Sequence, residues 1–168
     1  MSWSKALRHS VLAGIILSLP VALGACSFSP VYSGTLADQP GLNLAYAKPA
    51  SRLQQIIYQE LALRFGRSDS ETAPLVTVSA TGSAAEMMVT PTTNPAKPLM
   101  VTVTATLTVT ARDGSDTPPR SFTRSATADY TRSGQVMADN AAAENAAERA
   151  ARSAAESLRL ALLAALSR

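Results

Sequence analysis

The sequence predicts an α+β domain: a two-layer sandwich with two helices on one face of a four-stranded sheet, in the order β-α-β-β-β-α, after a cleaved signal peptide. Three stretches carry this reading. From Met100 to Arg112, Val, Ala and Leu alternate with Thr residue by residue. That is the period-two pattern of a strand with one covered face. From Ser51 to Phe65, apolar residues recur at helical spacing. From Asp139 to Leu166, Ala dominates, and Ala is the best helix former. Both helices cover one side of the sheet, which leaves the threonine side in water.

The elements follow in order. Lys5 and Arg8 form a short positive region, and Val11 to Leu23 is free of charge. That run is too short to span a bilayer, which takes ~20 apolar residues, and it has the length of a signal-peptide core. Residues 1–25 therefore read as a lipoprotein signal peptide, with Leu23-Gly24-Ala25-Cys26 as the lipobox and Cys26 as the lipidated first residue of the mature chain. Residues 26–41 read as a tether, because Pro30, Gly34, Pro40 and Gly41 block regular structure. Residues 42–168 form one domain. Leu42 to Tyr46 alternates as a short strand.

The first helix runs from Ser51 to Phe65. Ser51 and Gln54 fit a capping box, Leu53, Ile56, Ile57, Leu61 and Phe65 share one side, and Gly66 stands at the C-cap. Pro74 to Met88 alternates next, with Val76, Val78 and Ala80 opposite Thr77, Ser79 and Thr81, and Gly82 marks a bulge. Pro91, Pro95 and Pro98 stiffen a loop before the Met100–Arg112 strand. Asp113-Gly114 and Pro118-Pro119 bound the next turn. Arg120 to Thr131 returns with Phe122, Ala126, Ala128 and Tyr130 on one face and Arg124 among them. Asp139 is the expected N-cap of the last helix. Its inner face is Ala147, Ala151, Ala154, Leu158, Ala161, Leu162 and Ala165, and Glu148 and Arg152 pair one turn apart.

Composition excludes whole classes of chemistry. Two of the 15 Lys and Arg precede Cys26, which leaves 13 against 12 Asp and Glu in residues 26–168. A surface so balanced is not a nucleic-acid footprint. The one His, His9, and the one Cys, Cys26, leave the mature chain without an imidazole and with its thiol at its first position. His-dependent triads, His/Cys zinc sites and internal disulfides are therefore excluded. The mature lysines, Lys48 and Lys97, each sit beside a proline, and no Gly-rich phosphate loop occurs. Asp113 and Asp116 read as a turn rather than an acid pair. The expectation is a protein that is not an enzyme and holds no metal or cofactor.

Binding features are better represented. The ladder Thr102 to Thr110 is either a face for polar sugars or a solvated strand face. Lys97, Arg112, Arg120 and Arg124 gather near one end or edge of the sheet. They either grip phosphates through charge-assisted hydrogen bonds or protect an edge by charge. The Ala-rich helix is core packing or a partner's seat, and Met87 and Met88 are an apolar contact or loop packing.

The opening Cys26-Ser27-Phe28-Ser29-Pro30-Val31-Tyr32 resembles the C-G-F-x-P-L-Y start of the LptE family of lipopolysaccharide-assembly lipoproteins. The order of elements after it is similar along the whole mature chain. Ser27 replaces the usual Gly, and the last helix is richer in Ala than the family pattern. The resemblance implies an outer-membrane lipoprotein, acylated (palmitate among its chains) at Cys26 and facing the periplasm. It would plug an LptD-type β-barrel, help that barrel assemble and deliver lipopolysaccharide to the cell surface. It further implies that basic residues of the sheet meet the lipopolysaccharide, with Arg112, Arg120, Arg124 and Lys97 as candidates. The alternatives are an auxiliary lipoprotein of an ABC-type envelope lipid transport system and a purely structural envelope lipoprotein.

Overall fold

A computed structural model describes residues 44–87 and 96–166. The expected signal peptide, Cys26, the tether, Leu42, Met88, Pro91 and Pro95 lie outside the described residues. The elements are β1 (Ala45–Tyr46), α1 (Arg52–Phe65), β2 (Leu75–Glu86), β3 (Lys97–Thr110), β4 (Arg120–Arg132) and α2 (Val136–Leu166). They form one mixed sheet in the order β1-β2-β3-β4. β1 runs parallel to β2, and the other neighbours are antiparallel. The architecture is the expected α+β sandwich in the order β-α-β-β-β-α.

Alternation places the core. Val76, Val78, Val101, Val103, Ala105 and Leu107 are buried, whereas Thr104 lies exposed on the opposite face. Ile56, Ile57, Leu61 and Phe65 of α1 pack onto that apolar side. So does α2, which lies along β3 and β4 and against α1. Lengths match: 31 helical residues at ~1.5 Å rise make about 46 Å, and the 14 residues of β3 at ~3.3 Å make about the same. α2 therefore backs the whole hairpin. Its contact face is wider than one stripe, because Ala146, Ala150, Ala155 and Leu163 are buried beside Ala151, Ala154, Leu158 and Leu162. Methyl side chains allow the helix to lie close against the sheet.

The caps of α1 follow the sequence. The Gln54 amide donates to Ser51 Oγ at 3.3 Å, and the Gln54 side chain accepts from the Ala50 amide at 2.7 Å. Gly66 takes φ 76° with ψ 179° and returns its amide to the Ala62 carbonyl, a positive-φ cap outside the left-handed helical region that glycine adopts without strain.

Several boundaries differ from expectation. Gly82 is no bulge: β2 and β3 stay in continuous register past it, with Gly82 opposite Val103. A Cβ at Gly82 would stand 3.4 Å from Leu53 Cδ1, so the glycine lets α1 approach. β3 begins at Lys97 rather than Met100, since Pro98 near a strand start gives up no interior ladder bond. α2 begins at Val136, three residues early, and Asp139 sits inside its first turn. There Asp139 reaches back to the Ser133 and Gly134 amides at 2.7 and 2.9 Å. It satisfies free N–H groups before the helix from within, as a residue in the first turn can. These bonds, those from Ser133 foremost, hold its carboxyl below the usual carboxylate range.

Candidate functional site

The face left bare by both helices is a sheet of hydroxyls. Thr102, Thr104, Thr106 and Thr108 on β3 stand opposite Thr127, Ser125, Thr123 and Ser121 on β4. The other flank opposes them with Ser83, Thr81, Ser79 and Thr77 on β2. The hydroxyls bond across strands, Thr106 to Thr123 at 2.8 Å and Thr108 to Ser121 at 3.2 Å. Those bonds and the β-branched packing leave Thr106 and Thr108 half-buried while Thr104 is exposed. The surface is polar and free of charge over its centre. It can meet sugars, water or a polar wall through hydrogen bonds.

The four basic candidates do not form one cluster. Arg112 and Arg120 flank the 113–119 turn at one end of the sheet. Arg112 Nε donates to the Ala73 carbonyl at 2.7 Å, and its Nη2 donates to the Ser70 carbonyl at 3.0 Å. It pins the segment between α1 and β2. Arg120 Nη1 donates to the Ala165 carbonyl at 3.0 Å. The last turn of α2 has no basic residue of its own, so Arg120 supplies the cation that the negative helix end favours. Arg124 lies opposite Ala105 in mid-strand. Its side chain is exposed and Nη1 donates to the Thr123 carbonyl at 2.7 Å. Edge position explains the exposure: β4 has no strand beyond it among the described residues, so a long side chain escapes the apolar layer sideways.

Lys97 stands about 45 Å along β3 from that end, 14 residues at ~3.3 Å each. It meets Glu86 Oε1 at 3.7 Å, and Arg132, its partner across the hairpin, meets the same oxygen at 2.8 Å. The expected gathering of Lys97 with the arginines near one end of the sheet is corrected by this pairing. Arg132 and Glu86 escaped the sequence reading because only the hairpin register brings them to Lys97.

Asp113 caps its own turn. Asp113 Oδ1 accepts from Ser115 Oγ at 2.6 Å and from the Ser115 amide at 3.0 Å. Those bonds hold its carboxyl below the usual carboxylate range. The glycine of this turn takes φ 81°.

A groove of about 620 Å³ opens on the core side between α1, α2 and the far half of β2. α1 is only 14 residues long, about 21 Å. Its first turn reaches Gly82 through Leu53, and none of its turns covers Ala84. Gly82, Ala84 and Val101 form the floor, Leu53 and Ala147 the walls, and Arg52, Glu144 and Glu148 the rim. Arg52 meets Glu148 at 3.1 Å. The groove was not legible in the sequence, since it arises from the unequal lengths of α1 and β2.

Near β1, the Tyr46 and Tyr58 rings meet edge to face with centroids 5.8 Å apart. The Tyr58 hydroxyl accepts from the Val78 amide at 2.8 Å. The Tyr46 hydroxyl is buried and has no hydrogen-bond partner among the described residues. Burial pushes its pKa up to about 12, against the opposing field of Arg67.

Solved structures share this fold. One is a lipoprotein of Caulobacter crescentus, 19% identical, with a TM-score of 0.52 over 75% of this chain and 92% of that one. Another is the rare lipoprotein B of Shewanella oneidensis, 14% identical, with a TM-score of 0.52 over 74% of this chain and 95% of that one. No protein-family model matches the sequence, and no curated protein matches it.

Proposed function

We propose that the protein is a lipid-anchored, non-enzymatic envelope factor of the LptE type. It is acylated at Cys26 and held at the periplasmic face of the outer membrane. There it seats in an LptD-type β-barrel and assists the passage of lipopolysaccharide to the cell surface. One conjunction carries the reading: the Leu-Gly-Ala-Cys lipobox with Cys-Ser-Phe-Ser-Pro-Val-Tyr behind it, followed by a domain with the fold of a rare lipoprotein B over 95% of that chain. Several acyl chains on Cys26, at ~0.8 kcal/mol per buried methylene, make such an anchor stable.

The bare hydroxyl face supports the barrel part of the proposal. The inside of a transmembrane barrel is polar, and a surface of Thr and Ser meets such a wall without burying unpaired charge. Arg112, Arg120 and Arg124 are the candidates for lipopolysaccharide phosphates, because each spends only part of its five N–H donors on protein carbonyls. Lys97 contributes separately, from the opposite end.

The test is co-purification from membranes of the native host. The proposal expects one large β-barrel protein at equal stoichiometry with the wild-type chain, and acyl mass on Cys26 by intact mass spectrometry. Recovery of permease and substrate-binding subunits instead would favour an ABC-type auxiliary lipoprotein. An unacylated mature chain would end the anchor reading.

A further inference from the structure

The two edges of the sheet are protected unequally. At the β4 edge stand Arg120, Arg124, Asp129 and Arg132, and Arg124 occupies the Thr123 carbonyl. Charges of this kind discourage an exposed edge from pairing. β2 carries no charge and no proline from Leu75 to Ala85, and its register contains no bulge.

The backbone of that edge can be accounted for group by group. Ala45 donates to the Pro74 carbonyl and Ala47 to the Val76 carbonyl, each at 3.0 Å. The Val78 amide is taken by the Tyr58 hydroxyl. The even-numbered residues of β2 thus point their backbone groups away from β3, and period two puts Ala80, Gly82 and Ala84 in the same orientation. β1 ends at Tyr46 and the chain turns into α1, so nothing among the described residues pairs with those three. Ala80 is half-buried, and Gly82 and Ala84 are exposed.

The groove lies directly beneath this stretch. A strand added to β2 would turn alternate side chains toward it, over a floor that Gly82 and Ala84 leave shallow in side chain. Its rim has an excess of negative charge. Arg52 is engaged by Glu148, Glu148 also meets Arg152 at 3.2 Å, and Glu144 has no ion pair among the described residues. An acidic rim repels a phosphorylated lipid and attracts a cationic side chain.

We propose that the free edge of β2 at Ala80, Gly82 and Ala84 docks an extended polypeptide segment of another protein, which adds a strand to the sheet, sets apolar side chains into the groove and brings a Lys or Arg to Glu144. Main-chain bonds supply the affinity and the groove supplies the selectivity, as in other cases of strand addition.

The probe is the capped peptide Lys-Val-Thr-Val-Thr-Val, titrated into the full mature lipidated protein in detergent micelles. Amide exchange is read residue by residue. At saturation the Ala80, Gly82 and Ala84 amides should exchange at least about tenfold more slowly, while those of Thr81 and Ser83, already turned to β3, stay unchanged. Ala84→Pro removes one outward N–H without touching the β3 ladder and should weaken the peptide by about tenfold or more. Should that variant not fold, Ala84→Lys, which fills the groove floor with a charged side chain, should produce the same loss. Glu144→Gln should weaken the peptide and leave a version with Gln in place of its Lys unaffected. Failure of the peptide to bind by ~1 mM, binding without protection of the three amides, or indifference to Glu144→Gln would each overturn the proposal. Protection that rises with protein concentration alone, with a doubled mass, would assign the edge to a second copy and equally overturn it.

Discussion

Tyr46 holds a buried hydroxyl that nothing among the described residues satisfies. An unpaired buried polar group costs more than it contributes, so Tyr46→Phe, which keeps the ring against Tyr58, should raise stability by up to about 1 kcal/mol. The same burial predicts a pH dependence. The folded pKa of about 12 lies above the model-peptide value of 10.0, so the folded state retains a proton that the unfolded chain gives up. Its contribution is therefore complete below pH 10 and is lost as pH rises toward 12. Melting curves from pH 8 to 12 should show the wild type losing stability across that window faster than Tyr46→Phe. Parallel curves would mean that the hydroxyl is hydrated and ordinary. Arg120 makes a second residue-scale case. Its bond to the Ala165 carbonyl stands in for a cation missing from the end of α2. Arg120→Ala should cost about 0.3–1 kcal/mol, with faster amide exchange confined to the last turn of that helix.

At the scale of elements, period and packing explain most of what was readable in advance. The β3 alternation placed Val103 and Leu107 inside and Thr104 outside, because a strand has only two faces and one had to be dry. Both side chains are fully buried. Leu107→Ala should cost about 2–5 kcal/mol. Thr106→Ser keeps the hydroxyl that bonds Thr123 and should stay within about ±0.5 kcal/mol. Urea unfolding of the two variants checks this; equal losses would mean that the hydroxyl face is covered. What local pattern could not show was anything set by pairing between strands. Lys97 is placed by the register opposite Arg132 and away from the other arginines. A glycine in a strand marks either a bulge or a close approach, and at Gly82 the unbroken register and the position of Leu53 decide for the close approach. Tyr58 falls at the helical spacing of Leu61 and Phe65 and is buried with them, but its bond to the Val78 amide is a role with no periodic signature.

Over the whole molecule, 13 basic and 12 acidic residues in the mature chain leave little net field. Any anion must be caught by local geometry, and the arginines divide by what they already hold. Arg112 ties down the 70–73 segment, Arg120 closes α2, and Arg124 among the described residues bonds the carbonyl beside it alone. Removing Arg112 and Arg120 together should therefore lower the melting temperature, since each loses a charged hydrogen bond to the backbone, typically about 1.5–3 kcal/mol for such bonds when well shielded and less at exposed sites. Arg124→Ala should leave melting nearly unchanged. If these side chains also meet lipopolysaccharide phosphates, Arg124→Ala should weaken lipopolysaccharide binding with fold and barrel contact intact. Salt shapes that loss in a definite direction: the gap between wild type and variant should narrow from ~0.05 M to ~0.5 M salt, because screening removes from the wild type the same attraction that the mutation removes. A stability loss at Arg124 would reveal an internal role for the side chain. Unchanged lipopolysaccharide binding at both salt concentrations would remove Arg124 from the ligand site and leave the hydroxyl face as the surface to mutate next.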